Sequence, residues 1–233
     1  MRRLKLRQWA FPGRLLLMAF FALLVQLPAF FLLPVKASSP LAQQVLWVGL
    51  YLLSFCALFT AALWACRACE PPTPPARPWR VSLDWVLGGY LVVFAAQSAL
   101  TTLNRALYHQ SQTANNQAII HLMERSPLAM GAMCLGAVVF SPLVEELLFR
   151  GLLMNLFFKP GQFWAPVVVS ALVFCLEHAS TTPISYLVYL AMGLVFGYVY
   201  RKSGNLKYSI GVHALNNLVA MSLVLINLLT GGN

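Results

Sequence analysis

Glu145 and Glu146 stand side by side in SPLVEELLFRG, within a stretch otherwise apolar enough to cross a membrane. The chain has only six acidic residues, and three of them, Glu145, Glu146 and Glu177, fall in apolar segments. An ionisable side chain in hydrocarbon costs at least ~2.5–3.5 kcal/mol on insertion scales, so such groups normally face a protein interior or a water-filled cavity and carry function. His178 and His213 lie in later apolar segments, and Asn217 follows one helical turn after His213. A carboxylate, two imidazoles and a carboxamide in such surroundings point to water-activating chemistry inside a bilayer.

Helical spacing divides the tasks. Successive residues point about 100° apart on a helix, so the two glutamates cannot do the same work. Glu146 and Arg150 are i,i+4 with the acid first, the favoured order for an ion pair, so Arg150 is expected to neutralise Glu146. Glu145 has no such local partner. It shares a face with Ser141 and Phe149 and needs water or another helix to satisfy it. In FCLEH, Phe174 lies four residues before His178, so ring and imidazole share a face. In GVHALNN, His213 and Asn217 share a face, with Asn216 rotated away but still in reach. A polar face of His and Asn suits hydrogen-bond donation to a developing oxyanion. The structural alternatives are a buried ion-pair network for the glutamates and simple interhelical hydrogen bonding for the histidines. Cys175 and His178 are i,i+3, but thiol chemistry leaves the glutamate pair and Asn217 unexplained.

The ordered set EELLFRG, FCLEH and GVHALNN resembles the motifs Glu-Glu-x-x-x-Arg, Phe-x-x-x-His and His-x-x-x-Asn of the CAAX prenyl endopeptidase and bacteriocin-processing (CPBP) family of intramembrane proteases, also called the abortive-infection family. All three motifs are complete, and the resemblance spans roughly residues 128–229. It implies that Glu145 is the general base that activates water, with His178 helping to hold it. It implies that His213 and Asn217 stabilise the oxyanion, and that Glu146, Arg150 and Phe174 support them. The substrate would be a membrane-associated protein or peptide, with water entering a cavity open toward the cytoplasm.

Three alternatives accompany this reading. The family has often been described as metalloproteases, and Glu145, His178 and His213 would form a His₂Glu set of the kind that binds a divalent metal such as zinc. A non-catalytic bacteriocin-immunity or peptide-binding membrane protein would use the same polar residues as a binding lattice. A transporter or channel is a poorer fit, because no internal repeat is evident. Nothing in the sequence identifies a prenyl-binding pocket.

These residues need a scaffold, and composition says which kind. The 233 residues are 60% hydrophobic and 9% charged, against about 25% charged in a soluble domain. The expected fold is all-α, a polytopic membrane helix bundle of about seven to eight transmembrane helices. Apolar stretches run approximately over 14–35, 41–66, 82–101, 128–158, 163–179, 183–200 and 208–229, each near the length that crosses ~30 Å of hydrocarbon. Ser141-Pro142 either breaks the long fourth stretch or marks the first turn of the helix carrying the glutamates. Residues 1–127 are expected to hold an N-terminal transmembrane hairpin, a Pro-rich linker at 67–80, a third span and a polar loop with one short helix near 114–125. Residues 128–233 would be the catalytic membrane domain.

The net charge of +10 does not indicate nucleic acid, because the basic residues sit in short segments between apolar runs, as positive-inside topology requires. The N-terminal segment, the 67–80 linker, Lys159 and the Arg201–Lys207 turn are then all cytoplasmic, and the setting is a multi-pass cell membrane, a bacterial plasma membrane by its fit to a small chain with a retained first span. Depth tests the convergence. Glu145 is fourteen residues before Lys159 and His178 fourteen after Trp164, so both lie about 21 Å from one turn at 1.5 Å per residue. His213 is six residues past Lys207, about 9 Å. For the three to meet, the 159–163 turn must protrude roughly 10 Å beyond the 201–207 turn.

Overall fold

A computed structural model describes residues 6–69 and 79–231, with side chains from residue 83 onward in the second stretch. The core of the Pro-rich linker, at 70–78, lies outside the described residues. Those described form helices and connecting turns without a strand. Six helices are long and apolar enough to cross a membrane: α1 (Phe11–Leu32), α2 (Leu41–Ala68), α3 (Leu83–Tyr108 of a helix beginning at Trp79), α5 (Pro127–Phe157), α7 (Pro183–Ser203) and α8 (Leu206–Thr230). A short helix, α4 (Ala114–Met123), falls in the polar loop, and α6 (Trp164–Leu176) is apolar but only 13 residues long. This is the expected polytopic helical bundle.

Local chemistry explains the helix ends. Ser126 caps α5 by accepting from the Ala129 amide, and Pro127 occupies the first turn, where its missing N–H costs nothing. Thr182 and Ser185 form a reciprocal capping box on α7, again followed by proline. Gly204 ends α7 in the left-handed region at φ 68°, which a side chain would resist. Asn205 then caps α8 by accepting from the Lys207 amide.

Helix α5 is the axis of the structure. It is continuous through Ser141-Pro142, and Pro142 sits in the first turn of the α-helical segment that carries the glutamates. That segment is flanked by two π-helical stretches, Gly136–Phe140 and Leu147–Leu153. The local widening lets proline follow without a break, because the N–H that proline lacks has no α-helical partner to lose there. Helix α2 packs along α5, and α6 and α8 cover its other sides. Helix α7 lies against α3, α6 and α8. Between α6 and α7, Gly193 comes so close that a β-carbon there would stand 2.8 Å from the Cα of Ala171.

The bundle has two distinct ends. At one, Arg201 donates to the carbonyls of Pro160 and Gln162, and Arg14 to that of Leu156 at 3.0 Å. At the other, Arg125 donates to the carbonyls of Val35 and Leu33, and the Asn115 amide to that of Ala179. A β-carbon on Gly151 would lie 3.6 Å from Leu206, so α8 begins about eight residues, or ~12 Å, below the 159–163 turn. That offset matches the protrusion the depth argument requires.

Candidate active site

Three helices bring Glu145, His178, His213 and Asn217 to one cavity of about 610 Å³. Ser141, one turn before Glu145 on α5, donates to Glu145 Oε1. Glu145 Oε2 is buried without a hydrogen bond and faces two imidazoles, 3.9 Å from His178 Nε2 and 4.0 Å from His213 Nε2.

Each imidazole is fixed by its other nitrogen. His178 lies in the turn after α6, and its Nδ1 is 2.7 Å from the Phe174 carbonyl, an acceptor only, so Nδ1 carries the proton. His213 Nδ1 is 3.0 Å from Glu146 Oε1 and donates to that carboxylate in the same way. Both rings therefore present Nε2 to Glu145. Aromatic packing holds their planes: Tyr189 stacks on His178 with centroids 4.4 Å apart, and Phe196 on His213 at 4.6 Å. Phe174 touches both imidazoles, at 4.4 and 5.7 Å.

Beneath them, Arg150 and Glu146 are completely buried. Arg150 Nη1 donates to Glu146 Oε1 at 2.9 Å, and Nη2 to the Gly193 carbonyl at 3.0 Å. The guanidinium lies 4.7 Å from the Phe174 ring centroid and 5.4 Å from that of Phe196. Glu146 thus joins Arg150 to His213, while Glu145 faces the cavity. The side-by-side carboxylates have separate surroundings, as their 100° separation requires.

Asn217 differs from its expected arrangement in one respect. Its Nδ2 already donates to the Ala137 carbonyl at 2.8 Å. Ala137 lies in a π-helical stretch whose i→i+5 partner for it is Pro142, which has no N–H to give, so its carbonyl is free for Asn217. One N–H of Asn217 remains for another acceptor. Asn216 lines the same cavity and donates weakly to Asn217 Oδ1 at 3.5 Å. Cys175 is turned elsewhere, its thiol donating to the Tyr186 carbonyl.

Sequence reasoning missed Tyr189, Phe196 and the Glu146–His213 hydrogen bond. The aromatic residues sit on α7, which carries no motif, and no spacing rule links residues 67 positions apart.

The cavity opens at the end of the bundle that holds the 104–127 loop and the turn after α6. Its rim includes Ser111, Asn115, Glu177 and Asn227, and its lining includes no residue of the 159–163 or 201–207 turns. The expected cytoplasmic mouth and the expected cytoplasmic basic turns therefore lie at opposite ends. The depth estimate contained the reason: 21 Å from the 159–163 turn is well past the middle of a ~30 Å core.

The expected metal set is Glu145, His178 and His213. Zinc ligands at ~2.0–2.1 Å from one ion stand about 3.3 Å apart in a tetrahedron. The Glu145–His178 and Glu145–His213 separations of 3.9 and 4.0 Å exceed that. Among the described residues no three His, Cys, Asp or Glu side chains form a ligand group.

Residues 127–219 match the Rce1-like family, described as type II CAAX prenyl endopeptidase Rce1-like. Among curated proteins, the chain is 23% identical over 208 residues to the "Putative membrane peptidase YdiL" of Bacillus subtilis, covering 84% of this chain and 81% of that one. It is 29% identical over 142 residues to the UPF0177 protein YvdC of Lactococcus lactis, covering 60% of this chain and about half, 52%, of that one. No solved structure matches the chain significantly. Motifs, helical bundle and these matches agree: over residues 127–219 the chain is similar to the CPBP family, the CAAX prenyl endopeptidase-like membrane proteases.

Proposed function

We propose that the protein is a glutamate-dependent intramembrane endopeptidase that hydrolyses a peptide bond in a membrane-associated protein or peptide. The observation that carries this reading is the buried Oε2 of Glu145, unpartnered and faced by two Nε2 atoms whose rings are locked from behind. Glu145 takes a proton from water held between it and His178. The hydroxide adds to the scissile carbonyl carbon. Carrying a proton on each ring nitrogen, with Nδ1 hydrogen-bonded to Glu146, His213 donates from Nε2 to the oxyanion, assisted by the remaining N–H of Asn217. Glu145 then returns the proton to the leaving amine. Arg150 holds Glu146 in place.

The ligand spacing described above does not suit a metal as the side chains stand, so no step is routed through one. Metal content measured on purified protein, and cleavage measured after chelation, test that choice.

A non-catalytic peptide-binding or immunity role is the second reading, favoured by the size and carboxamide-rich lining of the cavity. The two part on Glu145→Gln. A protease loses the appearance of new termini in membrane proteomics, with expression intact. A binding protein keeps its biological effect.

A further inference from the structure

We infer that the catalytic cavity faces away from the cytoplasm and takes an unwound, internal segment of a substrate from the extracytoplasmic side; this rests on the protease reading of the site. The first observation is charge. Twelve of the sixteen Lys and Arg residues belong to the segments before and at the start of α1, between α2 and α3, at the α5–α6 turn and around the α7–α8 turn. Three, Lys36, Arg105 and Arg125, belong to the opposite end, and the last is buried Arg150. A bias of that size in short segments beside the spans orients a membrane protein with the basic end in the cytoplasm.

The second observation is where the cavity opens. Hydrogen bonds tie its rim to the poorly basic end: Thr113 bonds Tyr189 at 2.6 Å, the Asn115 amide donates to the Ala179 carbonyl, and Gln26 in α1 donates to Glu177 Oε2 at 3.1 Å. Helix α6 spans only ~20 Å at 1.5 Å per residue. Its far end, with His178, therefore stops about 10 Å short of the far edge of a ~30 Å core, and the cavity fills that shortfall.

The third observation is the lining. Gln97, Asn104, Gln112, Asn115, Asn116 and Asn227 surround the space with carboxamides; Asn104 bonds Gln110 and Thr182, Asn116 bonds Gln112 and Gln97 bonds Met192, yet each, with two N–H groups and two lone pairs, keeps donors or acceptors to spare. They match the free N–H and C=O groups of a peptide pulled out of helical or strand pairing. Val25, Pro28, Leu223 and Val224 form an apolar side for its side chains. Among the described residues no Lys or Arg lines the cavity, while Glu145 and Glu177 do. A free C-terminal carboxylate would meet no guanidinium or ammonium there, so the lining favours an internal bond over release from a chain's C-terminus.

The experiment uses the full chain in intact cells. Ser111→Cys at the rim and Lys202→Cys at the basic end are exposed to a membrane-impermeant maleimide, with the unsubstituted chain giving the native thiol background. Ser111→Cys is expected to label at least tenfold above background, and Lys202→Cys only after permeabilisation. The reverse pattern, or equal labelling before permeabilisation, overturns the inference. In parallel, termini that depend on Glu145 are mapped by comparing wild type with Glu145→Gln. Cuts in extracytoplasmic flanks support the proposal, and cuts in cytoplasmic flanks overturn it. Absence of any Glu145-dependent cut overturns the protease reading instead, while the labelling still decides the sidedness.

Discussion

Replacing Glu146 by Gln removes the only carboxylate that Arg150 bonds, and its consequences follow from the two hydrogen bonds Glu146 Oε1 accepts, 2.9 Å from Arg150 Nη1 and 3.0 Å from His213 Nδ1. Arg150 is fully buried, and its remaining polar contact is the Gly193 carbonyl. Stranding a buried charge costs ~3–5 kcal/mol. Glutamine still offers an oxygen to the guanidinium, so the lower end, about 3 kcal/mol, is expected. At roughly 2–4 °C per kcal/mol for a chain of this size, Tm falls by about 6–12 °C. The surrounding rings of Phe174 and Phe196 are present in both forms and do not alter the difference. Glu146→Gln/Arg150→Met removes the stranded cation as well, and buried pairs replaced by apolar groups are often neutral or better. That variant should regain most of the lost Tm. It should not regain cleavage, because His213 still lacks its carboxylate. The assay is thermal unfolding in one detergent, paired with single-turnover cleavage per folded molecule. A Glu146→Gln protein as stable as wild type, or a double variant no more stable than the single one, refutes the reasoning.

Glu145→Gln keeps shape and strands no charge, so its Tm should stay near wild type while cleavage falls by a factor on the order of 10²–10⁴. A well-folded Glu145→Gln protein that still cleaves, beside a dead Glu146→Gln, would assign the base to Glu146. Asn217→Ala should lower kcat by about 10²-fold with little change in KM, the pattern of a lost oxyanion donor; an effect confined to KM would place Asn217 in ground-state binding. Gly193→Ala sets a β-carbon 2.8 Å from the backbone of Ala171, where no side-chain rotation relieves the clash, and should cost about 1–3 kcal/mol, read as a lower Tm.

Much of this was written in local spacing. The apolar runs located the seven long or shorter spans, because burial in lipid demands a continuous apolar stretch whatever the packing. The i,i+4 rule paired Glu146 with Arg150 and put Ser141 on the face of Glu145. The motifs located the four residues that meet, but their joint geometry depends on contacts between helices, which no local rule reports. His213 bonding Glu146 from 67 residues away is one such contact. The π-helical stretches on either side of the glutamates left no trace in composition, since their residues are as apolar as those of the rest of α5. The direction of the cavity was implicit in counting residues along α6, once that helix was recognised as too short to cross.

The shortness of α6 also concerns the lipid. Val168, Leu172 and Leu176 are exposed on its outer surface, so acyl chains lie against a helix that ends well before they do. A bilayer meets such hydrophobic mismatch by thinning locally, at fractions of a kcal/mol per Å. The dimple would form beside Glu177 and His178. There the aqueous boundary sinks toward Glu145, and a membrane-anchored chain drifting in the plane of the lipid meets water earlier than it would elsewhere. The outline of one helix thus sets how deep in the membrane water reaches Glu145.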